Sequence, residues 1–381
     1  MEQAVIAGIG ETAFSKESGK SDLALNLQAS LAALADAGVE PGELDAIIVP
    51  TAVTATVEDL MTNLGIDDLS FTSNLRVGGA GPVAALLQAK MVIESGVANR
   101  VLVSYGFNGR SGARLGRRPP TIMFGEAPNL RRNYEGVHGL IVPSQFYALW
   151  AQRYMYEHGW TDTLPMAHVA AVQSSHAVLN GLGPGSREIS VVDHQESRLI
   201  SDPFRLYDCS RETDGGAAYV VTARKATGEK AIHIRGVGEG HPGQPDQPTT
   251  RLEFMRSGMG RAGQRAFDMA GWKPGDVDFA ELYDAFTFNV IWQLEDLGLC
   301  PVGSGAQFVR EGNIGLGGQL PVNTHGGLLA QAHLWGINHI TEAVKQLRGT
   351  AGAAQVKNAA RALVSGSGDL GDAAVALLER D

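Results

Sequence analysis

Three short motifs occur twice in this chain, in the same order each time, and that repetition limits the possible folds more than any other feature. Val5-Ile6-Ala7-Gly8-Ile9-Gly10-Glu11 is echoed by Ile232-His233-Ile234-Arg235-Gly236-Val237-Gly238-Glu239. Pro41-Gly42-Glu43-Leu44-Asp45 is echoed by Pro274-Gly275-Asp276-Val277-Asp278, and Arg100-Val101-Leu102-Val103-Ser104 by Arg361-Ala362-Leu363-Val364-Ser365. The offset between partners grows along the chain, as it does when insertions separate two copies of one unit. The sequence therefore reads as an internal duplication.

Each copy reads strand, helix, strand, turn, helix, strand. In the first copy these fall at 2–9, 22–37, 44–49, a turn at Gly78-Gly79, 82–95 and 100–105. In the second they fall at 231–237, 252–271, 278–283, 327–347 and 361–365. Apolar residues recur at helical spacing in the helices and in short continuous runs in the strands. Strands alternating with helices imply parallel sheets covered on both faces. Two halves are expected, 1–225 and 226–381, joined by the polar stretch 223–230. The first half carries an insertion at about 107–200, rich in Gly, Pro and Arg and then helical at 144–159 and 164–179.

Composition supports two such units and removes several functions. Of 381 residues, 44% are hydrophobic and 19% charged, enough apolar material for a buried core. The 48 glycines lie in short clusters between apolar runs, which signals tight turns and close backbone approaches. A formal net charge of −10 argues against a nucleic-acid coat but says little about a small anionic ligand. The cysteines, Cys209 and Cys300, form no C-x-x-C, so neither a zinc ribbon in this chain nor a disulfide framework is expected. No apolar run is long enough to span a membrane. The N-terminal residues lack a basic stretch followed by an apolar core, so a cytoplasmic protein without a signal peptide is expected.

Several signatures fail on inspection. Gly8-Ile9-Gly10-Glu11-Thr12-Ala13 follows a strand as a dinucleotide fingerprint does, but Phe14 to Ser21 reads as a polar loop where a helix should open. Gly19-Lys20-Ser21 ends like a phosphate loop, yet Phe14 stands where the first glycine is needed. No G-x-S-x-G or H-E-x-x-H occurs, and the histidines form no dense cluster along the chain, so no metal site is expected.

Two strand-end segments of the second copy remain. Glu281-Leu282-Tyr283-Asp284-Ala285-Phe286 lies where a strand gives way to a helix, and Asn323-Thr324-His325-Gly326-Gly327-Leu328 opens another helix with His333 about two turns in. Such turns converge outside the carboxyl ends of parallel strands. Tyr and His are suitable proton carriers for acid–base work. The residues alone equally allow Tyr283 to pack at a strand end and His333 to cap a local hydrogen bond.

The whole chain resembles the thiolase superfamily, specifically the sterol-carrier-protein-type thiolases and their thiolase-like lipid-transfer relatives. Glu281-Leu282-Tyr283-Asp284-Ala285-Phe286, continuing to Leu297-Gly298-Leu299-Cys300, is similar to the family's HDCF block, with Tyr283 at its histidine. Gly326-Gly327-Leu328-Leu329-Ala330-Gln331-Ala332-His333-Leu334 is similar to the GGLISKGHP block, with His333 at the catalytic histidine. Ser201-Asp202-Pro203 through Asp214-Gly215-Gly216-Ala217-Ala218 resembles the segment that closes the first half. The resemblance implies an α/β thiolase fold, two βαβαβαββ halves in a layered αβαβα architecture. It makes Gly240-His241-Pro242 a decoy for the GHP triplet, read as a turn.

The departures decide the chemistry. At the family's N-C-S-T-G turn this chain has Val77-Gly78-Gly79-Ala80-Gly81, with Gly78 at the nucleophile, and its second cysteine turn is replaced within Ser365-Gly366-Ser367-Gly368. Glycine cannot accept an acyl group, so thiolysis is excluded. The resemblance then implies a thiolase-like aldolase, a carbon–carbon lyase that cleaves a bulky β-hydroxy acyl-CoA of steroid side-chain breakdown. The products are a ketone or aldehyde and a short acyl-CoA such as propionyl-CoA or acetyl-CoA. Tyr283 and His333 are its expected acid and base, in either order. Asn323, His325 and Gly78 are weaker candidates for positioning or an oxyanion contact, and Asp284 is read as structural. In the insertion, Arg110, Arg114, Arg117, Arg118, Arg131 and Arg132 either meet CoA phosphates or form a solvated loop; the first reading selects Arg117, Arg118, Arg131 and Arg132. No cofactor is expected on this chain beyond the coenzyme A of its substrate. The expected partners are a second copy, forming a homodimer core, and a small OB-fold protein in trans that carries a zinc ribbon, together a heterotetramer. The rival reading is a non-catalytic acyl-CoA-binding scaffold for a partner enzyme, and a third is an acyltransferase fed by a partner's thiolate.

Overall fold

The computed structural model describes residues 3–50, 55–112, 114, 131–224, 230–243, 249, 251–368 and 371–381, without the side chains of 131 and 132. The first half contains β1 (Ala4–Glu11), α1 (Asp22–Ala37), β2 (Ala46–Val49), α2 (Val57–Leu64), β3 (Phe71–Asn74), α3 (Gly81–Glu94) and β4 (Arg100–Asn108). Helices α4 (Pro143–Glu157), α5 (Leu164–Asn180) and α6 (Val191–Glu196) follow, then the short hairpin β5 (Leu199–Ser201) and β6 (Phe204–Arg205), then β7 (Asp214–Ala223). The second half contains β8 (Ile232–Gly240), α7 (Met259–Ala270), β9 (Phe279–Glu281), α8 (Thr287–Asp296) and α9 (Gly305–Arg310). It ends with α10 (Gly327–Ala330), α11 (Ile337–Arg348), β10 (Arg361–Ser367) and β11 (Ala373–Glu379).

The repeated motifs turn out to be repeated packing devices. Gly8 and Gly10 of β1 lie so close under α1 that a Cβ on either would overlap the Ala33 or Ala29 carbonyl. Gly236 and Gly238 of β8 lie under α7 in the same way, against the carbonyls of Ala266 and Ala262. This explains the G-x-G that resembled a nucleotide fingerprint: the glycines serve helix–strand approach. The Pro-Gly motifs each form a 3₁₀ turn, Pro41–Glu43 and Pro274–Asp276. Each turn is followed by an aspartate with one job. Asp45 accepts from the backbone N–H of Asn99 and Arg100 at 2.8 and 2.9 Å. Asp278 accepts from Ala360 and Arg361 at 2.8 and 2.9 Å.

The nine-stranded sheet runs β3-β2-β4-β7-β1-β8-β11-β10-β9. At its centre β1 and β8 pair antiparallel, Val5 opposite His233 and Ile6 opposite Ile232. Outward from that pair the two halves repeat one order, β7-β4-β2 on one side and β11-β10-β9 on the other. Helices α3 and α11 touch strands of both halves, whereas α1 covers β1, β4 and β7 and α7 covers β8 and β11. The layers are therefore helix, sheet, helix, sheet, helix. The innermost helices carry the largest apolar cluster, including Val83, Leu86, Ile337, Ile340 and Val344.

Two expectations are corrected. The sheet is mixed: β2 is parallel to β3 and β4, and β9 to β10, but β7 and β11 run antiparallel to both neighbours. β11 begins at Ala373, soon after β10 ends at Ser367, and so short a connection can join only antiparallel strands. The expected helix over 327–347 is broken into α10 and α11. Trp335 and Gly336 between them take left-handed backbone angles, φ 56° and 87°, which interrupt the α-helical hydrogen bonds. The expected helix at 252–271 begins only at Met259.

Candidate active site

Strand β9 stops at Glu281, so Tyr283 and Asp284 lie just past its end. Asn323 shapes that end. It takes φ 51°, and its amide clamps Leu282, accepting from the Leu282 N–H at 2.6 Å and donating to the Leu282 carbonyl at 2.9 Å. The Tyr283 N–H donates to Ser365 Oγ at 2.9 Å, Ser365 Oγ donates to Gln293 Oε1 at 2.6 Å, and Gln293 Nε2 returns to the Tyr283 carbonyl at 2.6 Å. A three-residue ring of hydrogen bonds thus fixes the Tyr283 backbone. Its side chain is 5% exposed.

The phenol points at the Gly78-Gly79 turn. A Cβ on residue 79 would overlap Tyr283 Cζ, Oη and Cε2. A Cβ on Gly336 would sit 3.2 Å from Tyr283 Cδ2 and 3.5 Å from its Cε2. Gly366 of β10 closes the floor, 2.7 Å from the Gly79 carbonyl by the same measure. The turn, the end of β9 and the break between α10 and α11 therefore meet at one place. Gly78 lies in that turn, with φ 53°.

His333 lies in the break and is partly buried, instead of two turns into a helix. Its Nδ1 is 2.7 Å from Ser210 Oγ. Burial pulls His333 down to about 4, with the nearby Asp284 opposing that shift and His339 adding to it. A neutral imidazole, with Nδ1 taken by Ser210, leaves Nε2 for a reacting group. Asp284 ties the two segments together. Its carboxylate accepts from the N–H groups of Leu328 and Leu329 at 2.9 and 3.2 Å, holding α10 just ahead of His333.

His325 is wholly enclosed, with Nδ1 2.9 Å from Glu281 Oε2 and Nε2 3.4 Å from Asn338. Both Asn323 and His325 are thus engaged with interior partners. Two histidines apart in sequence meet here: the rings of His325 and His339 are 5.0 Å apart. Glu281, His325 and His339 bring their ligand atoms within 4.8 Å of one another. A tetrahedral metal with bonds of about 2.0–2.1 Å separates its ligands by roughly 3.3 Å. The 2.9 Å between Glu281 and His325 is instead a direct ion-pair distance. Burial pushes the Glu281 carboxyl up, but the charges and hydrogen bonds of His325 and His339 outweigh it and hold the group well below its ordinary range.

Beside Ser210 opens a cavity of about 580 Å³ that also reaches Leu329 and Ala330. Lys16, Arg110, Arg114, Arg187 and Arg211 line it, opposed by Glu212. Arg114 pairs with Glu212 at 2.5 Å, and Arg187 donates to Tyr207 Oη at 2.5 Å. Burial, with Arg187 nearby, lowers the Arg211 pKa against the opposing effect of Tyr207. Of the expected phosphate contacts, Arg117 and Arg118 lie outside the described residues, as do the side chains of Arg131 and Arg132. Lys16, Arg187 and Arg211 were not expected, because each stands alone in sequence and only the fold joins them. Ser210 and His339 were not expected either. A polar face on a helix as buried as α11, with Asn338, His339, Thr341, Glu342 and Gln346 all enclosed, is the signal that marks His339.

Neither cysteine is poised as a nucleophile. Burial and the charge of Asp208 push Cys209 up to about 12. Burial pushes Cys300 up to about 11, with Ser304 opposing and Glu295 adding. His241 of the decoy triplet sits between Glu239 and Asp372 at 2.9 and 2.8 Å. Among the described residues no helix is long and apolar enough to cross a membrane.

Comparison with known proteins identifies the family. Residues 238–380 match the family model "Thiolase C-terminal domain-like". The chain is 39% identical over 359 residues to the "Steroid side-chain-cleaving aldolase" of Thermomonospora curvata, covering 91% of this chain and 90% of that protein. It is 38% identical over 359 residues to the "17-hydroxy-3-oxo-4-pregnene-20-carboxyl-CoA lyase" of Mycobacterium tuberculosis, covering 91% and 92%. A solved structure described as the "Ltp2-ChsH2(DUF35) aldolase" superposes with a TM-score of 0.92 at 36% identity, covering 100% of this chain and 98% of that one. The chain belongs to the thiolase superfamily, in its branch of thiolase-like aldolases, which are carbon–carbon lyases.

Proposed function

We propose that this chain cleaves the Cα–Cβ bond of a bulky β-hydroxy acyl-CoA, a steroid side-chain intermediate, by a retro-aldol reaction that forms no acyl-enzyme. The reading rests on one observation above others: the Tyr283 phenol fills the space that a side chain on Gly79, next to Gly78 in the turn, would need. The thiolase nucleophile turn has become the seat of an acid–base group.

One of the pair removes the β-hydroxyl proton. The hydroxyl oxygen becomes the carbonyl of the departing ketone or aldehyde as Cα–Cβ breaks, and the bonding electrons pass into the acyl-CoA enolate. The other group protonates the enolate carbon, giving the short acyl-CoA. His333, uncharged at neutral pH through burial, is free to accept a proton, whereas a phenol of pKa about 10 must first lose its own. Donors already placed where the enolate oxygen develops contribute a few kcal/mol each. The cationic cavity beside Ser210 is the place for the CoA phosphates, with Arg187 and Arg211 suited to charge-assisted hydrogen bonds.

The assembly we propose is a homodimer core with an OB-fold partner supplying the zinc ribbon in trans. It is supported by the likeness to a structure whose description names a DUF35 partner. The test is co-expression with such a partner and mass analysis after incubation with a steroidal β-hydroxy acyl-CoA. A short acyl-CoA with its matching ketone or aldehyde, lost in Tyr283→Phe and His333→Ala, supports the reading. Tight binding without cleavage would replace it with the scaffold.

A further inference from the structure

We propose that His339 is a positioning residue for the cleavage reaction: held between the carboxylates of Glu281 and Asp284, it locks together the two segments that carry Tyr283 and His333. This inference rests on the reading of those two residues as the acid–base pair. His339 lies in the first turn of α11, wholly enclosed, with Nε2 3.2 Å from Asp284 Oδ1 and Nδ1 3.6 Å from Glu281 Oε2. Asp284 follows Tyr283 in sequence and accepts from the N–H groups of Leu328 and Leu329. Those N–H groups open α10, which runs into His333. Gly327 takes φ 64°, and a Cβ there would overlap the Asp284 carboxylate, so the backbone is pressed directly onto it.

The ring also reaches Tyr283 through a shared neighbour. A Cβ on Gly336 would lie 3.2 Å from Tyr283 Cδ2 and 3.5 Å from His339 Cδ2. The two rings therefore flank one glycine, whose left-handed φ of 87° ends the break that holds His333.

A buried carboxylate needs a partner cation or it neutralises. Burial alone would lower the His339 pKa, but the adjacent carboxylates of Asp284 and Glu281 raise it to about 9. The same cation helps keep His333 uncharged, on top of burial and against Asp284. Other titratable groups face the cluster from each element around it. His325 comes from the loop before α10 and His176 from α5, where burial lowers its pKa. Glu342, raised by burial, and Lys345 come from α11 itself, and Lys345 pairs with Glu11 of β1 at 2.5 Å. None of these lies between the carboxylates as His339 does.

His339→Gln, in complex with the partner, keeps a hydrogen-bonding side chain and removes the charge. With Asp284 released and His333 more readily protonated, kcat should fall by about 10- to 100-fold, while KM for the acyl-CoA stays within about twofold. The acid limb of the kcat profile should move up by about one pH unit. A folded variant with the wild-type kcat and pH profile overturns the proposal. A second measurement does not depend on activity or on the variant folding: histidine-selective ¹⁵N NMR of the wild-type complex. Two protonated nitrogens on His339 at pH 8 support the clamp, and a neutral ring at pH 7 overturns it. So does elemental analysis that finds one tightly held divalent metal per chain, lost in Glu281→Gln, since the rings would then be its ligands. A wild-type complex that cleaves no β-hydroxy acyl-CoA defeats the aldolase reading separately, and the NMR still decides the state of the clamp.

Discussion

Gly79→Ala adds one methyl group to the place where the account puts its chemistry. The new Cβ would overlap Tyr283 Cζ, Oη and Cε2, more than about 1 Å inside an ordinary contact of about 3.5 Å. The ring has little room to retreat: Tyr283 is 5% exposed, Gly336 packs beside the ring, and its backbone is held by Ser365 and Gln293. Overpacking of this kind costs about 1–3 kcal/mol of stability, which a fold with so large an apolar interior survives. Displacing a reacting group by about 1 Å costs on the order of 100-fold in rate. Gly79→Ala should therefore lower kcat about 100-fold, change KM little, and remain folded by circular dichroism. Its effect should not add to that of Tyr283→Phe, because a hydroxyl already out of place has little left to lose. A folded Gly79→Ala protein with wild-type kcat would refute the placement of the Tyr283 hydroxyl at the reacting carbon.

Other consequences are separable. Ser210→Ala removes the one hydrogen bond on His333 Nδ1 and should cost about tenfold in kcat with KM unchanged. Arg187→Ala and Arg211→Ala should raise KM about 10- to 100-fold for a CoA thioester, but much less for its pantetheine analogue, which lacks the CoA phosphates. Stability should peak near pH 6.5. Below it, His333, about 4 in the folded chain, refuses the proton that an unfolded histidine takes up near 6.5, so stability falls toward pH 4. Above it, His339, about 9 in the folded chain, keeps a proton the unfolded chain has lost, so its contribution fades between 6.5 and 9. Each limb is worth about 3 kcal/mol, and His333→Ala should flatten only the acid one in urea titrations across pH.

The duplication was legible in the sequence because it is local: each repeated motif is a run of neighbouring residues, and each became a packing device used twice. Gly8 with Gly236 and Asp45 with Asp278 are such pairs. Tyr283 and His333 could be singled out because blocks of neighbours mark them. What stayed hidden depends on contacts between distant residues. β7 and β11 lie next to strands from either end of their half, and periodicity says nothing about strand direction. The break after Ala330 goes with the left-handed backbone of Trp335 and Gly336, which helical spacing does not reveal, while the distant Asp284 accepts from the first N–H groups of α10. His339 joins Glu281, Asp284 and His325 only once α11 packs across the strand ends, and the cationic cavity draws on residues from Lys16 to Arg211.

The claim that matters most is that carbon–carbon cleavage here runs through a free enolate and no covalent acyl-enzyme. Running the complex in D₂O with a steroidal β-hydroxy acyl-CoA, and weighing both products and the intact chain at early times, tests it directly. The account predicts one deuterium at the α-carbon of the short acyl-CoA, one equivalent of ketone or aldehyde, and an unmodified chain mass. A short acyl-CoA without deuterium, or an acyl adduct on Cys209 or Cys300, would contradict it.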